Sequence, residues 1–354
     1  MRTSKLALLA CTIVLLGAGC FGFGGSSTNT ADGGVYKSVN GGQDWAQVAA
    51  VPSSKGVGTI AATNVLSLSM DPQDNQAIYL GTRENGMLYS LTATDAWLQP
   101  RTDGLKDGSI PAVTVDPQDV CTVYVARGAR VYKTDNCFRS ADSEIYVETR
   151  ADVLVLKIAV DWFNSQVVWI GLSNGDVLKS ENGGGTWRTV LTSGRKDVTG
   201  IIVSNADSRV VLVATESDGF YKTTDGGVTW TQVEKELKDW KNATRVHALV
   251  QDATGTTVLS ASGYGIMKSV DFGTTWAPLS LLTAPGQVTI NAVGMDPNNA
   301  SLIYYAAGGT FYISTDGGSN WDTQRLPTTR QPQVLLVDPK DPNVVYVGVA
   351  SVEK

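Results

Sequence analysis

Arginine is the residue type whose placement offers the most chemistry in this chain. Its planar fork matches carboxylates and phosphates. Arg83, Arg101, Arg127, Arg130, Arg150, Arg195, Arg245, Arg325 and Arg330 recur between strand-like segments. Glu84, Asp103, Asp107, Glu148, Asp152, Asp197, Glu216 and Asp218 interleave with them. Two readings stand: an anion-recognition surface, or loop charges that pair with one another. Two carboxylates across a cleft would serve glycoside hydrolysis, but no pair stands out from the pattern around it. There is one histidine, His247, inside an apolar strand pattern, and there are four cysteines. A His-based triad or a His/Cys metal cluster is hard to build from so few, and no cofactor is expected.

The elements that must position these residues are repetitive. Trp45, Trp97, Trp187, Trp230, Trp276 and Trp321 recur at about 45 residues or twice that. Five of them end a shared motif, in which Ser38, Ser180, Thr223, Ser269 and Ser314 are followed two residues on by Asn40, Asn182, Asp225, Asp271 and Asp316. Degenerate copies lie at residues 90–97 and 134–140. A second marker runs in phase: Asp71-Pro72, Asp116-Pro117, Asp161, Asn205, Asp252, Asp296-Pro297 and Asp338-Pro339. Two markers with one period indicate seven repeats. Within each, short β-branched or aromatic runs alternate with Gly, Asp and Pro turns, giving four strands.

Four strands per 45 residues is a β-propeller blade. The expected fold is all-β, a seven-bladed propeller with four-stranded blades. The chain starts with half a blade and ends with the other half, so strands from both termini would close the ring and remove its free edges. In such a blade the first–second and third–fourth turns share one rim. The second–third turns and inter-blade connectors share the other, and the nine arginines map there. Arg83, Arg127, Arg150, Arg195, Arg245 and Arg330 are the candidate binding residues. Trp240 joins them. It lies off the repeat register in a helix-like, charge-dense stretch at residues 233–242, as a partner contact or as packing for that insertion. His247 is expected to be a satisfied, semi-buried residue.

Hydrophobic residues make up 42% of 354 and charged residues 18%, which describes a folded chain. The formal net charge is −6, against the basic surface that nucleic-acid binding requires. Arg2 and Lys5 precede an apolar run at residues 6–16 and then Gly17, Ala18, Gly19 and Cys20. This reads as a secretory leader over residues 1–19. Its loss takes the charge to −8, because it carries those two cations. The run is shorter than the 20 or so residues a membrane span needs. Residues 20–34 read as a lipidated Cys20 and a flexible linker, and residues 35–354 as the propeller. Plain leader cleavage with an incidental Cys20 is the other reading. Cys121 and Cys137 then remain as an even pair in an oxidising compartment, and a disulfide is expected.

The small residues before Cys20 resemble a bacterial lipobox, with Gly17 where leucine is usual. The Ser/Thr-x-Asp-x-Gly-x-Thr-Trp motif resembles the Asp-box, or BNR repeat. That repeat occurs in sialidases, sortilin-type receptors, xyloglucanases and lipoprotein assembly factors of photosystem II. The Asp-Pro turns are similar to the sortilin and xyloglucanase style, and the single-propeller lipoprotein plan to the assembly factors. The resemblance implies the fold and leaves the activity open. The Arg-Ile-Pro motif of sialidases is absent. Xyloglucanases with this repeat usually set two propellers face to face, and one is present here. The expectation is a non-enzymatic, membrane-tethered binding or assembly module at the bacterial cell envelope. Its rim would meet a protein or glycan and no nucleic acid. The alternative is a sialidase-like or xyloglucanase-like glycoside hydrolase.

Overall fold

Every period of the repeat folds into one antiparallel sheet, and seven sheets stand around a central bore. The structure is a computed structural model that describes residues 31–140, 142–194, 196–233 and 237–352. We number blades by their inner strands: Val65–Met70, Ala112–Val115, Val155–Val160, Val198–Val203, Val246–Gln251, Ala292–Asp296 and Gln331–Val337 for blades 1 to 7. Blade 7 takes its two inner strands, Gln331–Val337 and Val345–Ala350, from the C-terminal end. Its two outer strands, Gly34–Ser38 and Ala46–Gln47, come from the N-terminal end. The register across the seam runs from Gly34 opposite Val349 to Ser38 opposite Val345. In blade 1 the outer strand shrinks to a bridge between Tyr89 and Leu98.

The apolar core lies between blades, in seven clusters. One joins blades 3 and 4 through Trp169, Val177, Ile201 and Val213. Another joins blades 6 and 7 through Tyr304, Phe311, Leu335 and Val347. Each large side chain so buried contributes about 1.5–3 kcal/mol. Because the sheets meet face to face, the hydrophobic effect closes the ring without filling its axis.

The repeated motif is a structural turn. In all seven copies its Ser or Thr hydroxyl accepts the backbone N–H four residues on, from Gly42 onto Ser38 at 2.8 Å to Phe138 onto Thr134 at 3.2 Å. Asp225 Oδ1 accepts from Thr229 N at 2.9 Å. Asn182 Oδ1 takes the same bond from Thr186 N at 2.8 Å, so the turn needs a short acceptor and no charge. A lysine just before the motif reaches the next blade's turn. Lys37 donates to Ala93 O, Lys179 to Gly226 O, Lys222 to Asp271 O and Lys268 to Gly317 O, at 3.0–3.3 Å.

Three features depart from the sequence expectation. Residues 50–59 form an extra hairpin, Ala50–Ser53 with Gly56–Thr59, between blades 7 and 1. The stretch expected to be helix-like is, among its described residues, 3-10 at Leu237 and then a succession of tight turns: Trp240 N to Leu237 O, Ala243 N to Trp240 O and Arg245 N to Asn242 O. Asp32, inside the expected linker, accepts from Thr329 N at 3.0 Å and is ion-paired with Arg330. The leader and Cys20 lie outside the described residues.

Candidate functional site at the mouth of the bore

Two rims follow from the backbone bonds. The motif turns are pinned to the first–second strand turns on one rim, as Gly41 N to Asn343 O and Gly226 N to Arg209 O. On the other, second–third turns are stitched to the inter-blade connectors, as Arg83 N to Asn64 O, Ser173 N to Leu154 O and Glu216 N to Asp197 O. The bore opens on this loop rim as a cavity of about 630 Å³.

Bulges shape that mouth. Inner strands of blades 1, 3, 4, 5 and 7 lose one residue from the ladder at the same level: Leu66, Leu156, Thr199, His247 and Gln333. A bulge bends the strand and re-aims a side chain. Four of these five residues, Leu66, Thr199, His247 and Gln333, line the bore. Blades 2 and 6 have no bulge at this level. The polar lining therefore gathers on one arc: Thr199 and Glu216 from blade 4, Arg245 and His247 from blade 5, Asn291 from blade 6 and Gln333 from blade 7. Lys157 and Ser67 sit one residue deeper. Beyond them the lining is apolar, with Leu68, Ile202, Val250 and Leu336.

The arc is tied across blades. His247 Nδ1 lies 3.1 Å from Ile290 O, and a carbonyl can only accept, so the proton is on Nδ1. Burial pushes the half-buried imidazole below its ordinary pKa, the Ile290 carbonyl opposes that, and the Arg245 charge adds to it. Asn291 Nδ2 donates to Gln333 Oε1 at 3.3 Å. Glu216 is exposed at the mouth, and its backbone N–H bonds Asp197 O at 2.9 Å. Burial, and then the Glu216 charge, push the Asp197 carboxyl above its usual range. Two neighbouring carboxyl groups in unlike environments are the combination that separates an acid from a base.

The arginines read from sequence have varied placements. Arg150 forks onto Glu148 at 2.9 and 2.7 Å and reaches Asp176 at 2.5 Å. Arg127 pairs with Asp107. Arg330 holds Asp32, Ala62 O and Asn64. Arg83 also has interaction partners, and Arg195 lies outside the described residues. Of the five that are described, Arg245 alone lines the bore; its exposed side chain has no ion-pair partner among the described residues. Trp240 packs onto the core between blades 4 and 5 with Leu237 and Ala243. Cys121 and Cys137 are joined by a disulfide in blade 2, with Cα atoms 4.3 Å apart. Lys157, Asp197 and Glu216 form no outstanding motif in sequence; the signal that could have found them is position, Lys157 and Asp197 where an inner strand meets its connector and Glu216 in the second–third turn stitched to that connector. Among the described residues no cluster of His, Cys, Asp or Glu could hold a metal ion, and no helix is long and apolar enough to cross a membrane.

No protein-family profile matches the chain. It is 25% identical over 253 residues to a xyloglucanase of Hypocrea jecorina, covering 67% of this chain and 23% of that one. It is 26% identical over 175 residues to a xyloglucanase of a Paenibacillus species, covering 44% of this chain and 17% of that one. The chain thus spans about a quarter or less of these two relatives. In structure it resembles the GH74 enzyme of Niastella koreensis, with a TM-score of 0.66 at 17% identity, over 89% of this chain and 53% of that one. It also resembles YCF48 bound to a D1 peptide, with a TM-score of 0.61 at 14% identity, over 82% and 94%. The structural likenesses establish a seven-bladed propeller. The curated relatives overturn the expected non-enzymatic binding or assembly module: the sequence matches carry the names of enzymes that act on a glycan.

Proposed function

We propose that this protein is a glycoside hydrolase acting on a β-glucan of the xyloglucan class at the mouth of its bore. The similarity to a xyloglucanase over two-thirds of the chain carries the reading. The carboxyl pair on the loop rim supports it. Asp197, with its raised pKa, serves as the general acid that protonates the departing glycosidic oxygen. Glu216 is the carboxylate that activates water or attacks the sugar. Asn291, Gln333 and Arg245 offer hydrogen bonds to sugar hydroxyls along the same arc. One propeller supplies one wall; a glycan lying across the rim meets this arc from one side. The leader and Cys20 support a location at the cell envelope, lipid-anchored and extracytoplasmic.

The test is release of reducing ends from xyloglucan by the full chain, beside Asp197→Asn and Glu216→Gln. Removing a general acid or base costs about 10²–10⁴-fold in rate, so both variants should lose at least about a hundredfold. Absence of hydrolysis by the wild type, or unchanged rates in both variants, overturns the reading.

A further inference from the structure

We propose that the bore below the mouth is an anion site, in which Lys157 and Arg245 receive the carboxylate of an acidic sugar. The acidic-sugar identity rests on the glycan reading above; the anion site does not. Lys157 lines the cavity and has no ion-pair or hydrogen-bond partner among the described residues. The side chain is half-buried in the wall of the bore. A desolvated cation without a counter-charge is costly, and a ligand anion would offset that cost with charge-assisted hydrogen bonds.

Three further observations point the same way. Thr199 lines the same cavity, and its Oγ1, buried behind that surface, has no partner. Arg245 lines the mouth of the same cavity, with no ion-pair partner among the described residues. The charged or titratable residues that line the cavity are Lys157, Arg245, His247 and Glu216. Burial keeps His247 toward its neutral form, which leaves two cations against one carboxylate. The apolar floor of Leu68, Ile202, Val250 and Leu336 limits the bore to a ligand that is charged at its leading end only.

Burial pushes the Lys157 ammonium down, and a bound carboxylate would oppose that shift, so affinity should fall as pH rises through the lowered pKa.

The experiment is isothermal titration of the full chain with a glucuronate-bearing β-linked oligosaccharide and its neutral counterpart of equal length. The acidic one should bind at least tenfold more tightly to the wild type. Lys157→Met should bring the two within twofold, Lys157→Gln should do the same, and Lys157→Arg should keep the preference. The two neutral variants guard against a folding failure of either, and soluble, folded Lys157→Met should melt above the wild type. Equal affinity for both oligosaccharides, or a preference that survives in Lys157→Gln, overturns the site. If acetate displaces the acidic oligosaccharide at equal concentration, the anion site stands and the acidic-sugar assignment fails. Xyloglucan hydrolysis measured in parallel separates the two readings: an acid preference without hydrolysis condemns the hydrolase and leaves the site.

Discussion

Asp225 shows what a carboxylate does in these turns. The Thr229 hydroxyl, and then the Thr229 backbone, hold it well below the usual carboxylate range. Asp316 is held at about 2 by the backbone and side chain of Asn320. Glu148 is also held at about 2, first by the Arg150 fork. Each folded pKa is depressed, so each carboxylate stabilises the fold above its unfolded pKa and loses that contribution as pH falls. Melting temperature should therefore drop as pH is lowered from about 4.5 to about 2, the span between the ordinary and the depressed values. Asp225→Asn should copy the bond of Asn182 Nδ2 to Thr186 Oγ1. It should melt near the wild type at pH 7 and lose less on acidification. A variant that collapses at pH 7 would show that the turn needs the charge. The same residues explain a limit of sequence reading. The arginines are visible as a set, but Asp107, Asp176 and Asp32, which engage Arg127, Arg150 and Arg330, come from elsewhere in the chain, and only the folded rim brings them together.

At the scale of the element, the motif turn is set by one glycine. Gly227 has φ of +89°, and a Cβ there would lie 2.9 Å from the buried Trp169 ring. Thr94 and Phe138 occupy the equivalent place in the degenerate copies at φ of 81° and 62°, so the backbone conformation alone is tolerated. Gly227→Ala should cost about 1–3 kcal/mol, the scale of a strained backbone or an overpacked core. Gly128→Ala, at a positive φ with open space around it, should cost less. Chemical denaturation of both variants checks this; equal losses would assign the cost to φ alone. Blade 2 lacks the motif tryptophan, and there Phe138 packs against Tyr79 and Tyr89. The disulfide of Cys121 and Cys137 spans 16 residues, and its reduction should lower stability by about 3 kcal/mol. Strands and turns were legible because Trp and Asp-Pro recur in phase. The hairpin of residues 50–59 was not, since Val51-Pro52-Ser53 and Gly56-Val57-Gly58 carry neither marker.

At the scale of the whole molecule, stability is shared among seven interfaces and none sits on the axis. Each blade packs against two neighbours, and the lysine bonds add a polar tie between blades. The seam in blade 7 therefore matters to every interface. Deleting residues 345–352 removes the strand that pairs both with Gly34–Ser38 and with Gln331–Val337. It should abolish the cooperative melt seen by circular dichroism, and a variant that keeps one sharp transition would show that six blades suffice. The ring was legible from half-blades at both ends of the sequence. The mouth was not, because Asp197, Glu216 and Lys157 sit in ordinary-looking copies of the repeat. What shapes the mouth around them is a ladder slip that takes one residue out of register in five inner strands, and pairing is not written in single residues.

That slip has a consequence for how a ligand is held. A ring of seven like blades would present seven equivalent seats, and a bound ligand would wander among them. The arc from Thr199 to Gln333, facing the apolar Leu66, removes that degeneracy. Confinement to one seat in seven forgoes about 1 kcal/mol of statistical advantage. In return it gives a bound ligand a compass bearing, so that one end of it always meets the same arc.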